Sequence, residues 1–362
     1  MMKITHSGLK SIHFAWILAL GLGSAMFLGS TFTAQGYYRQ DNLIFETTCT
    51  APFQSVATPL NDLDGNEYIR MDGQPTGAYG GLYPGGRNTP PDAHLSAGVT
   101  IAAGIVPLNL TGSPDPLGGK IVMISIGMSN TAQEFQAFRT LAYADPHINP
   151  QVLLVNGAQA GQTADLWVDP QAPTWDEVDR RLALANLTPA QVQVAWVKQT
   201  LAGGGNFPAW PLEVKDDLKS IVRNLKTRYP NLQMAYLSSR TRSYTYWNGL
   251  SPEPAAFESG FAVKWLIQDQ INHDPALNFN PTRGAVLAPY LAWGPYLWAD
   301  GSNPRSDGLV WLPEDMVPDC THPSEAGQAK VAARLLAFFK SDPTTNWFLQ
   351  QHFTYLPVIT RP

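Results

Sequence analysis

Two short stretches of this sequence bring together residue types that can carry out nucleophilic catalysis. In Gly127-Met128-Ser129-Asn130-Thr131, a serine follows a wholly apolar run and precedes a helical pattern. A serine so placed projects from a tight turn. Its backbone N–H lies at a helix N-terminus, where unpaired donors and the helix dipole favour a developing oxyanion. Ser129 or Asn130 would serve there equally as a plain helix N-cap. In Asp319-Cys320-Thr321-His322-Pro323, a carboxylate and an imidazole stand three residues apart ahead of the last helical pattern. Asp319 can then orient the His322 ring, and the ring can take a serine proton as general base. His6 and His13 fall in an N-terminal apolar segment, His273 and His352 read as surface residues, and His94 and His147 lack a carboxylate in a comparable place. The combination predicts Ser129 as nucleophile, His322 as base and Asp319 as its partner.

Two further groups have the residue types for holding a substrate. Residues 238–247 read Ser-Ser-Arg-Thr-Arg-Ser-Tyr-Thr-Tyr-Trp. Arg240 or Arg242 can grip a carboxylate or phosphate, whose geometry a guanidinium matches; a solvated arginine is the simpler reading. Trp293, Tyr296, Trp298 and Trp311 crowd the stretch before Asp319. Their rings can stack on a sugar or line an acyl pocket, and packing of a long loop explains them equally well.

The elements that must position these residues alternate in type from residue 120 onward. Apolar strands are expected at 121–126, 152–155, 192–197, 234–237 and 285–288, and helices at 131–144, 175–184, 212–228, 257–272 and 323–340. Strands buried on both faces and separated by helices imply a parallel sheet covered on each side. Chemistry in such sheets collects at the carboxyl ends of the strands, where Ser129 falls. Residues 36–118 differ: they are rich in Gly, Pro, Asn and Asp, with a glycine-rich loop at 77–91 and a short helix expected over 92–104.

In order and spacing, residues 119–341 resemble the SGNH (GDSL-like) hydrolases. Gly127-Met128-Ser129-Asn130 is similar to the Gly-x-Ser-Asn form of the sialate O-acetylesterase-like branch, and Asn156-Gly157-Ala158-Gln159-Ala160-Gly161-Gln162-Thr163 resembles the second block. The resemblance implies a three-layer, flavodoxin-like α/β fold with a five-stranded parallel sheet, and Gly161 beside Ser129 as backbone donors to an oxyanion. The third block departs from the family's Gly-x-Asn or Trp-x-Gln-Gly. Here Ala195-Trp196-Val197-Lys198-Gln199-Thr200 offers either Lys198 or Gln199 as the remaining donor, or two surface residues opening a loop. The activity implied is carbohydrate O-deacetylation or short-chain ester hydrolysis through an acyl-enzyme. The rivals are an O-acyltransferase and a non-catalytic glycan-binding protein on the same frame.

Composition narrows the classes further. The chain has 362 residues, a formal net charge of −5 and no Lys/Arg-rich stretch, which argues against a nucleic-acid partner. Lys3, His6 and Lys10 precede an uncharged apolar run over 14–32. That pattern marks an export signal, cleaved or retained as a membrane anchor, and hence a secreted or periplasmic protein. Only Cys49 and Cys320 are present; an exported chain can pair them, and two buried thiols are the alternative. Asp62, Asp64, Asn66 and Glu67 lack the glycine and glutamate spacing of a calcium loop, and the glycines of 77–91 lack a phosphate-loop ending. No metal or cofactor is expected. The domain order is therefore an export segment at 1–35, an irregular extension at 36–118, a catalytic domain at 119–345 and a tail at 346–362, with a small-molecule or glycan ester as partner and no oligomeric state specified.

Overall fold

The computed structural model describes Cys49, residues 57–246 and residues 249–350. The expected export segment, with its apolar run at 14–32, lies outside the described residues. The first elements are α1 (Leu60–Leu63), an antiparallel hairpin of β1 (Glu67–Ile69) and β2 (Pro75–Tyr79), and α2 (Asp92–Ala103). There follow β3 (Ile121–Gly127), α3 (Ser129–Tyr143), β4 (Val152–Asn156), α4 (Pro173–Leu184), β5 (Val192–Lys198), α5 (Ala209–Arg228), β6 (Met234–Leu237), α6 (Ala255–Ile271), β7 (Tyr290–Trp293) and α7 (Glu325–Ser341).

The five later strands form one parallel sheet in the order β4-β3-β5-β6-β7. Side chains alternate across it with the period of two that a strand imposes. Ile121 and Met123 join Phe135 and Phe138 of α3 and Leu335 and Phe339 of α7 in one core. Val122, Ile124 and Ile126 join Val178 of α4, Val214 and Leu218 of α5 and Phe261 of α6 in the other. This is the three-layer, flavodoxin-like α/β fold. The strand order reverses direction between β3 and its neighbours β4 and β5, so a crevice opens at their carboxyl ends, where such sheets bind ligands.

The fifth strand is Tyr290–Trp293, not residues 285–288. Pro289 has no N–H to give a ladder, and the amides of Leu287 and Ala288 both turn to the Asn278 carbonyl. Tyr290 onward is instead free to pair with Met234–Leu237. The last helix starts at Glu325 with Ser324 as its cap, accepting from the Gly327 amide, so Pro323 precedes the helix.

The region between 57 and 118 is less irregular than its composition suggests. Leu60 and Tyr68 belong to the α4–α6 core, and Ala102 and Ile105 to the α3–α7 core. At the other end Trp347 and Phe348 are buried in the second core, so a boundary at 345 falls inside packed structure.

The packing of α2 is tight at one glycine. A Cβ on Gly98 would lie 2.5 Å from the Tyr290 ring. That ring cannot withdraw, since its hydroxyl donates to the His94 carbonyl and its face stacks on the His94 ring at 4.4 Å. Alanine in a helix interior ordinarily gains about 1 kcal/mol over glycine. Here Gly98→Ala is expected to cost about 1–3 kcal/mol by overpacking. Urea denaturation of the two proteins checks it, and a variant as stable as the parent would refute the tight contact.

Candidate active site

The turn after β3 is shaped by β5. A Cβ on Gly127 would meet the Lys198 carbonyl oxygen at 2.4 Å and the Thr131 hydroxyl at 2.4 Å, so only glycine fits. Met128 then takes extended backbone angles as the N-cap, and α3 begins at Ser129. The N-cap is Met128 and makes no side-chain cap bond, while Asn130 Oδ1 accepts from the Thr131 amide at 2.9 Å. The Ser129 amide, in the first helical turn, has no carbonyl within the helix to bond.

The Ser129 Oγ lies 2.6 Å from His322 Nε2. On the far side of the ring, Nδ1 lies 2.6 Å from Asp319 Oδ2. Asp319 Oδ1 accepts from the amides of Thr321 and His322 at 3.0 and 2.9 Å. Partial burial pushes the Asp319 carboxyl up, but those amides and the His322 ring outweigh it and hold it below its ordinary value. Asp319 is therefore ionised at neutral pH and fixes the ring with Nδ1–H toward itself, which leaves Nε2 to face the serine. The three side chains are open to solvent: His322 is 20% exposed and Asp319 47%.

The Asp–His loop is clamped from three directions. Cys320 is bonded to Cys49, with Cα atoms 5.3 Å apart. The Tyr244 amide donates to the Cys320 carbonyl at 2.9 Å, and the Val317 amide donates to the His322 carbonyl at 2.9 Å. Cys320 itself has φ of +61°, a left-handed conformation uncommon for a residue with a side chain.

Gly161 has φ of +73°, open space where a Cβ would stand, and an exposed backbone. Its loop is pinned between the strand ends. The Gln159 amide donates to the Gly127 carbonyl, and the Ala164 amide to the Thr200 carbonyl at 3.0 Å. Gln199 Nε2 donates to the Gln162 carbonyl at 2.9 Å, which brings this side chain to the residue after Gly161. Asn156 and Gly157 shape the turn: Ser125 Oγ donates to Asn156 Oδ1 and accepts from the Gly157 amide.

Five of the residues expected at the oxyanion or the substrate have other occupations. Lys198 is fully buried, its ammonium 2.6 Å from both carboxylate oxygens of Glu134. Burial pulls it below the ordinary lysine value, against the attraction of Glu134. Arg240 is buried with Nη1 donating to Asn130 Oδ1 at 2.7 Å. Arg242 is buried between Asp300 and the Tyr246 hydroxyl. Trp293 and Trp298 are core residues whose indole N–H groups donate to the Leu82 carbonyl and to Glu253. The strand period of β5 turns Lys198 inward toward α3, and the two arginines share a different reason. The long segment after β6 folds inward over the sheet end, and its cations find internal partners before any ligand arrives. Sequence reasoning missed Glu134 and Glu253, the internal carboxylates of this region. Glu253 binds the Ser243 and Phe257 amides and Trp298, and neither residue sits in a recognisable motif.

No family model matches the chain, and no curated protein matches it in sequence. Among solved structures it is similar to the periplasmic domain of the lipopolysaccharide acetyltransferase of Salmonella ser. Paratyphi A, at 13% identity and a TM-score of 0.36, over 69% of this chain and 96% of that one.

The buried pair gives a stability test. Glu134→Gln leaves Lys198 and the nearby Arg240 without a carboxylate and is expected to cost about 3–5 kcal/mol. Replacing both partners, Glu134→Gln with Lys198→Met, is expected to restore much of that loss. Equal losses in the single and double variants, read by chemical denaturation, would show that the pair is not what holds this region.

Proposed function

We propose that this chain is an exported serine esterase that cleaves a short acyl ester, an O-acetyl group on a carbohydrate being the foremost substrate. The carrying observation is the continuous line Ser129 Oγ, His322 Nε2, His322 Nδ1, Asp319 Oδ2, with both gaps at 2.6 Å. Ser129 attacks the ester carbonyl as His322 takes its proton, and the imidazolium is stabilised by the Asp319 carboxylate. The ring then returns the proton to the leaving alcohol. A water activated by the same nitrogen hydrolyses the acyl-enzyme and frees the serine.

The oxyanion falls to the amides of Ser129 and Gly161 and to the second N–H of Gln199. Of the two candidates in the third block, Gln199 is favoured, because Lys198 is committed to Glu134. Beneath this point two buried cations, Lys198 and Arg240, stand against one carboxylate, Glu134. The surplus positive charge favours an anion above it. The solvent exposure of His322 and Asp319 supports hydrolysis over acyl transfer, since a transferase must keep water from its acyl-enzyme. A purely glycan-binding role would leave the aligned proton path without purpose.

Assay of p-nitrophenyl acetate hydrolysis tests the reading. Ser129→Ala is expected to lower kcat by roughly 10⁴-fold, and Asp319→Asn by roughly 10²–10⁴-fold through loss of the correct tautomer. Gln199→Ala is expected to lower kcat by roughly 10–10³-fold with KM little changed. Activity retained in Ser129→Ala would overturn the assignment. Product that forms only when an alcohol acceptor is added would make the protein a transferase.

A further inference from the structure

A cavity of about 620 Å³, lined by none of Ser129, His322 and Asp319, lies between the β1–β2 hairpin, the glycine turn at 84–86, the Phe207-Pro208 step and one face of α6. Its size is within the range of small-ligand sites, about 300–1,000 Å³. Its walls carry three aromatic rings. Tyr79 is 55% exposed, and Phe207 and Trp265 stand with ring centres 5.9 Å apart. Among the described residues the Trp265 indole N–H and the Gln268 side-chain amide, both on α6, make no hydrogen bond, so both are left for a ligand.

No carboxylate lines the cavity, and its one charged residue is Lys264. The Lys264 ammonium donates to the carbonyls of Tyr79 and Gly80, each at 2.6 Å. An ammonium has three N–H donors, so one remains. Among the described residues no acidic side chain pairs with it. Burial alone pulls the group down to about 8, and no neighbouring charge opposes the fall. A cation kept from water without a counter-ion is costly, and an arriving anion removes that cost.

We propose that this cavity binds an acidic saccharide, with a sugar face on Tyr79 and Trp265, hydroxyls on the indole and Gln268, and a carboxylate on Lys264. Aromatic walls alone suit any amphipathic ligand. The unpaired ammonium selects an anionic one, and the free donors select one rich in oxygen. The site is not the esterase site, but residues 199–208 run from Gln199 to the cavity wall at Phe207.

Binding is measured in the full chain carrying Ser129→Ala, purified from an exporting host, so that turnover plays no part and the esterase reading stands or falls separately. Isothermal titration uses a galacturonate tetrasaccharide and, in parallel, a neutral glucose tetrasaccharide. The acidic ligand is expected to bind at least about tenfold more tightly, and Lys264→Met to remove roughly that tenfold preference. Tyr79→Ser, at an exposed position with no core role, is expected to weaken both ligands. Equal affinity for the two sugars, no heat of binding with either, or acidic binding that survives both variants overturns the proposal.

Discussion

Lys198 holds the first turns of α3 at two heights. Its carbonyl accepts the Thr131 hydroxyl at 2.7 Å, and its ammonium reaches both oxygens of Glu134 one helical turn later. The strand end and the helix start are thereby fixed to each other, and Gly127 is the residue that lets them approach. Everything the proposed chemistry needs from β3 follows from this. The direction of Ser129, the availability of its amide and the distance to the Gln199 side chain are all set where β5 meets α3.

A buried ion pair contributes little net stability once desolvation is counted, so its value here is geometric. Arg240 extends the same arrangement to β6 by holding Asn130, the residue after Ser129. Three strand ends are thus joined under one helical turn through polar groups that have definite partners and directions. Apolar side chains in the same volume would fill it equally well, but they would leave the turn free to slide.

The proposed Ser129, His322 and Asp319 arrangement was legible in the sequence because each of its parts is local. Ser129 stands at a strand-to-helix junction, and Asp319 and His322 share one short loop. The alternation of elements gave the sheet for a similar reason, since burial on both faces leaves long apolar runs. What could not be read depended on direction. Lys198 and Gln199 are neighbours at the end of β5, and the strand period sends them to opposite faces. Trp196 lies in the α3–α7 core, so Lys198, two residues on, must point to α3; that parity was available only once the face of Trp196 was known. Arg240 and Arg242 were harder still, because an irregular loop has no period from which to infer an inward turn. The fifth strand was misplaced by an apolar run that ends in proline.

The covalent link between Cys49 and Cys320 encloses 271 residues of sequence separation. The sheet, Ser129 and the cavity beside α6 all lie inside that ring. A single cut in any loop within it, such as the glycine-rich stretch at 77–91 or the turn at 202–206, opens the ring but does not divide the molecule. Both new ends stay attached to the same body through sulfur. The protein can thus be nicked once and remain one molecule, with its Asp–His loop still tied to the chain that carries Ser129.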